Sequence, residues 1–207
     1  TAGIGVAKVK VGSIIAAMLC LKQGWDIIFD YILNRPWDKD IFITPDMLFD
    51  SITKKGVMGK SFMNIIFDKL LKACGLSTTI TLKEFYNYSK INLVIFSVNA
   101  NTLDIVKLSH DTHPQLELID ALYMSSTMPF VFQPLFVKDI CYIDGGCRCH
   151  YPINYCVEDV DDTKEILGIK LRFKENTLNI TETSNIFYFG FYLFSKLISN
   201  QQNETIS

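Results

Sequence analysis

The sequence has no block of basic residues. Its 20 lysines and arginines stand against 22 acidic residues, giving a net charge of −2, and they are scattered along the chain. That distribution offers no electrostatic footprint for nucleic acid, and none is expected as a partner. Cysteine is also sparse, since six in 207 residues do not build the dense disulfide framework of a small secreted domain. Residues 1–7 carry neither the charged region nor the cleavage pattern of a secretory leader. The most aromatic stretch, residues 186–194, is shorter than the ~20 apolar residues that a bilayer span takes. There is no internal repeat and no low-complexity linker. These absences leave a reduced, cytoplasmic, single-domain protein over residues 1–207 as the expectation.

What is present is apolar. At 49% hydrophobic and 13% aromatic the chain can bury a sizeable core. Residues 6–11 alternate with period two and predict a strand. Gly12-Ser13 then opens an apolar run over residues 14–21 that Gly24 closes, which predicts a helix buried on all sides. A strand feeding a buried helix through a glycine is the turn on which hydrolases present nucleophiles. Helical spacing recurs over residues 25–33, over 45–52 behind Thr44 and Pro45, over 61–71, and over 82–88 behind Thr81. Residues 38–43 read as a charged loop between them. Together these segments predict a helical insertion over about 25–90 with no strand between 44 and 88.

Further on, residues 92–98 are apolar throughout and predict a strand buried on both faces. Residues 104–108 return beside it as a hairpin, and a helix follows over 115–125. Pro129 and Pro134 bracket the aromatic segment Phe130-Val131-Phe132, which reads as a loop. Strands are expected over 140–143 and 166–171. A C-terminal helix over about 184–199 either covers the sheet or lies in a membrane interface.

The chain is organised around Cys141-Tyr142-Ile143-Asp144-Gly145-Gly146. A carboxylate at the C-terminal end of a strand sits where α/β sheets place their chemistry. The glycines behind it permit a sharp turn and a close backbone approach. The plainer alternative is an Asp-Gly turn between two strands. Cys141, Cys147, Cys149, His150 and Cys156 crowd this region, but their spacing is not that of structural zinc sites. No metal is expected. Nothing in the spacing of His110 and His113 brings either to a thiolate.

The order strand, Gly12-Ser13 helix, helical insertion, strand pair, helix, proline-bracketed loop, Asp144-Gly145-Gly146 and Tyr151-Pro152-Ile153 resembles the patatin-like phospholipase family. The resemblance implies a three-layer α/β/α sandwich with a mainly parallel central sheet. It implies hydrolysis of lipid or phospholipid acyl esters by a serine–aspartate dyad, with no cofactor, no metal and peripheral membrane contact. Asp144 takes the role of proton acceptor, which calls for a raised pKa. Gly12, Gly145 and Gly146 are motif glycines, and Met128, Pro129, Phe130 and Phe132 line the acyl site unless they only pack the core.

The sequence departs from the family at its most sensitive point. Counting back from Gly12, the family's Gly-x-Ser-x-Gly elbow falls on Lys8-Val9-Lys10-Val11-Gly12, so Lys10 takes the place of the nucleophilic serine. Residues 2–12 contain no Ser, Thr or Cys. The Gly-rich oxyanion loop is absent too, so the patatin-like fold is expected to be N-terminally incomplete. Ser13 lies about three residues past the elbow and is expected to pack or cap the helix start. The expectation is a lipid acyl hydrolase fold that is inactive as written, or a non-catalytic relative that binds lipid, membrane or a partner protein.

Overall fold

The computed structural model describes residues 5–8, 11–149, 152–157 and 179–204. Strand β1 (Gly5–Lys8) leads to helix α1 (Val11–Cys20), in which Ser13, Ala16, Ala17, Met18 and Cys20 are buried. Small side chains let α1 lie close beneath the sheet. Helices α2 (Trp25–Asn34), α3 (Trp37–Asp40) and α4 (Pro45–Lys54) follow. The short α3 falls where a loop was expected. Thr44 caps α4 as its sequence predicts, its hydroxyl accepting the Met47 N–H at 3.3 Å. Arg35, within 5.1 Å of the Tyr31 ring centre and 4.6 Å of the Trp37 ring centre, bonds Asp40 and the Ile65 carbonyl and so ties this region to helix α5 (Ser61–Ala73).

Strand β2 (Gly56–Met58) interrupts the helical run, correcting the expectation of no strand there. Helix α6 (Leu82–Ser89) starts at a capping box, Thr81 with Glu84. Strand β3 (Asn92–Asn99) and strand β4 (Ile105–Leu108) form the expected hairpin, and helix α7 (Leu118–Ser126) follows. The segment expected as a loop is strand β5 (Phe130–Phe132), parallel to β2. Strands β6 (Leu135–Val137) and β7 (Ile140–Asp144) pair through a two-residue turn. Its residues, Lys138 and Asp139, both have positive φ, the backbone of a type I′ hairpin. Helices α8 (Ile153–Val157) and α9 (Ile186–Glu204) complete the described elements. The strand expected over 166–171 lies outside the described residues.

The fold is α/β, as expected. Among the described residues β1 runs parallel to β3, while β4 and β7 pair antiparallel to β3 and β6 antiparallel to β7. β3 separates two apolar layers. Leu93 and Ile95 join the cluster formed with α1, α5, α6 and α7, while Phe96 on the other face meets Tyr155 of α8 at 5.3 Å.

The register fixes what the sheet does for the site. Ile95 is opposite both Lys8 and Leu108, and Val98 is opposite both Ile105 and Ile143. A strand has two edges, so β4 takes one edge of β3 while β1 and β7 share the other. They approach along it from opposite directions. β1 ends with Lys8 opposite Ile95, and β7 ends with Asp144 opposite Ser97. The two C-terminal ends therefore meet head-on, with partners two residues apart on β3, about 7 Å along a strand.

Candidate functional site

Asp144 closes β7 and is almost fully buried, at 2% exposure. Its Oδ1 accepts the N–H of Gly146 at 2.7 Å, and its own N–H donates to the Thr127 carbonyl at 2.9 Å. The carboxylate thus caps the 3-10 turn over Gly145–Cys147, in which Gly145 and Gly146 are buried. A turn this tight directly behind a strand is what the paired glycines provide. Directly opposite residues of an antiparallel pair share a face, so Asp144 lies on the face of Ser97. Ser97 Oγ donates to the carbonyls of Ile143 and of Met124 on α7, at 2.8 and 3.2 Å. Asp144 is therefore held on the α7 side of the sheet, at the edge position where β1 ends.

The other half of the site is the end of β1, at Lys8, with the start of α1, at Val11. Gly12 lies in the first turn of α1, and Ser13 is fully buried there. Lys10 lies outside the described residues. Ser125 and Ser126 on the last turn of α7 are different: their hydroxyls are buried without a hydrogen-bond partner. Neither of the two described histidines joins the site, and His150 lies outside the described residues. His110 stacks on Tyr86 at 3.7 Å between ring centres, and His113 bonds Thr112.

An apolar cavity of about 530 Å³ opens beside β7, within the size range of ligand pockets. Ser51, Ile52, Lys55 and Gly56 form one wall, from the end of α4 and the start of β2. Thr127, Pro129, Phe130, Phe132 and Pro134 form the second wall. Cys141, Ile143 and Ile186 close it. Three of the four expected lining residues are present. Met128 is not among them; its carbonyl instead receives the N–H groups of Val131 and Phe132 and turns the chain. Tyr123 braces both walls, its hydroxyl donating to the Gln133 and Met58 carbonyls at 2.6 and 3.2 Å. Burial pushes that phenol up, so it stays a donor at all ordinary pH.

Asp144 does not line this cavity. Successive strand residues face opposite ways: Cys141 and Ile143 look into the cavity, while Tyr142 joins the core and Asp144 is buried beside it. The structure brings Pro129, Phe130 and Phe132 together on one side of β7, and the Asp144 turn with the end of β1 on the other. The alternation along residues 141–144 carried that signal in the sequence. The contribution of α4 and β2 did not show there, because it depends on the β2–β5 pairing.

The patatin-like phospholipase family model matches residues 11–157, from the start of α1 through Asp144-Gly145-Gly146 to α8. The chain belongs to this family. Its match begins one residue past Lys10. Among curated relatives, the probable lipid hydrolase 463L of Invertebrate iridescent virus 6 is 24% identical over 152 residues, covering 72% of this chain and 52% of that protein. The uncharacterised protein R571 of Acanthamoeba polyphaga mimivirus is 27% identical over 161 residues, covering 76% and 52%. The chain thus spans about half the length of the curated relatives it matches. Among solved structures, VipD from Legionella pneumophila shares the fold with a TM-score of 0.50 at 14% identity, over 70% of this chain and 40% of that one. Among the described residues, no helix is long and apolar enough to cross a membrane.

Proposed function

We propose that this patatin-like domain binds the acyl chain of a lipid or phospholipid in the cavity between α4, β5 and β7, without turnover by a serine–aspartate dyad. The observation that carries the reading is the meeting of β1 and β7 on one edge of β3. It sets the end of β1 towards Asp144, and residues 2–12 hold no Ser, Thr or Cys. A carboxylate base activates a nucleophile only within hydrogen-bond reach. With Lys10 at the nucleophile position, an ammonium would instead hold Asp144 as an ion partner. The cavity's position across β7 from the carboxylate suits a ligand that is held rather than cleaved. Lys55 is the one cation among the described cavity-lining residues and suits the acid or phosphate end of the ligand.

A second reading is supported by the name of the iridescent-virus relative, a probable lipid hydrolase. In that case the whole protein hydrolyses lipid acyl esters, with a hydroxyl that reaches Asp144 from outside the described residues.

Cys141 makes the binding test direct. Burial pushes its thiol up, partly offset by the Lys55 ammonium. Alkylation by iodoacetamide is therefore expected to be slow near neutrality and to quicken as pH rises through and beyond the ordinary thiol range. Oleate should protect Cys141 at every pH, as read by peptide mass mapping. Cys20, fully buried in α1 with its thiol pushed up to about 11, should stay unmodified with or without oleate and serves as the internal control. Equal alkylation of Cys141 with and without oleate would remove the acyl-binding reading.

A further inference from the structure

We propose that a second, more polar cavity behind the Asp144 turn binds a small zwitterion, with Arg148 holding its phosphate and Asp104 its ammonium. This cavity encloses about 450 Å³. Its floor is the face of the sheet turned away from α7. Val98 and Ile105 are directly opposite each other in the β3–β4 pair, so they share that face, and both line the cavity. One wall is the loop from β3 to β4, which ends in Asp104. The Asp104 N–H donates to Thr102 Oγ1 at 3.3 Å, and its carbonyl accepts the Asn99 N–H at 3.0 Å. Another wall is the turn that Asp144 caps, where the Arg148 N–H donates to the Gly145 carbonyl at 3.2 Å. Both charged side chains are therefore carried on hydrogen-bonded backbone. Tyr155 of α8, packed on Phe96, lines the cavity as well.

The charges decide the ligand. Arg148 and Asp104 are the cation and the anion among the described lining residues. Both are exposed at this one opening, yet neither makes an ion pair among the described residues, with the other or with a third group. Opposite charges held apart in one cavity complement a molecule that carries both. A guanidinium takes a phosphate through two parallel N–H donors, and a carboxylate accepts from an ammonium. A simple anion would be opposed by Asp104 and a simple amine by Arg148. Lys107, on the same face two residues along β4, is engaged elsewhere and is not among the described lining residues. The site stands apart from the acyl-binding reading but adjoins its cavity. Ile143, which lines the acyl cavity, is directly opposite Val98 in the β3–β7 pair, so the two floors meet on one face. The same chemistry therefore has two sources, a free amino-alkyl phosphate or the headgroup of a lipid whose chain lies next door.

The test is isothermal titration calorimetry of the full chain with phosphoethanolamine, inorganic phosphate and ethanolamine. Phosphoethanolamine should bind about ten-fold or more tightly than either half. Arg148→Gln and Asp104→Asn should each weaken that binding about ten-fold. Asp104→Asn should leave phosphate binding equal or stronger, an outcome that a merely structural role for Asp104 would not produce. Melting temperature should stay at the wild-type value, because both side chains are exposed. Equal affinity for phosphoethanolamine and phosphate would overturn the proposal, as would absence of binding, or binding that both substitutions leave unchanged. Short-chain lysophosphatidylethanolamine, kept below its micelle concentration, identifies the source. Affinity above that of phosphoethanolamine, competed away by oleate, supports a lipid headgroup; equal affinity supports a free amino-alkyl phosphate. Neither substitution touches the acyl cavity, so oleate should shield Cys141 in both variants as in the wild type. Loss of zwitterion binding with shielding intact therefore marks this site alone, and loss of shielding with zwitterion binding intact marks the acyl cavity alone.

Discussion

Gly56→Ala is expected to lower the melting temperature by about 6–12 °C, the shift that roughly 3 kcal/mol produces in a chain of this size. A Cβ at Gly56 would fall within the van der Waals envelope of the Phe132 carbonyl carbon and oxygen and the Gln133 nitrogen. These are backbone atoms of the partner strand's end, so no rotamer change relieves the contact. β2 and β5 must part, which is the usual meaning of a glycine inside a strand where two backbones approach closely. Gly56 and Phe132 both line the cavity, so oleate protection of Cys141 should be lost together with stability. A melting temperature within about 2 °C of wild type would mean that the two walls are not held together by this pair.

Asp144→Ala is expected to cost about 2 kcal/mol of stability, even in a protein that catalyses nothing. The substitution takes the carboxylate acceptor from the Gly146 N–H in a fully buried turn, and depriving a buried donor costs about 1–3 kcal/mol. Asp144→Asn keeps an oxygen at that position and should cost less than half as much. Urea denaturation of the three proteins measures the difference. Equal stability for the alanine and asparagine variants would show that the carboxylate does not hold the turn. A purely catalytic role would have left the stability of both unchanged.

The elements that the sequence announced were those with local punctuation. Thr44 before Pro45 and Thr81 with Glu84 mark helix starts by side-chain bonds within four residues, and both caps are present. β3 was legible because eight residues, Asn92–Asn99, carry an almost unbroken apolar run. β2, β5 and β6 have three residues each, too few for a period to register. The β6–β7 turn uses Lys138-Asp139 where Asn-Gly would have signalled a hairpin. α4 and α6 end on lysines, Lys55 and Lys90, in the left-handed conformation that usually calls for glycine. There the C-terminal charge of the helix favours the cation even though the backbone does not.

The candidate site divided along the same line. Asp144-Gly145-Gly146 was visible as a short contiguous motif whose turn needs no distant partner. The cavity was visible only in part. Pro129, Phe130 and Phe132 are contiguous, but Ser51, Ile52, Lys55 and Gly56 reach them through a strand pairing some seventy residues long in sequence. Such pairings are set by tertiary packing, which local pattern does not encode.

The central claim is that Asp144 meets the end of β1, where residues 2–12 supply no hydroxyl. Labelling with a fluorophosphonate ester, followed by peptide mass mapping, tests it most directly in the wild type and in Asp144→Asn. The account predicts no adduct on any serine in either protein. A stoichiometric adduct on Ser13, Ser125 or Ser126 in the wild type, lost in Asp144→Asn, would contradict it and make the protein a working serine–aspartate hydrolase.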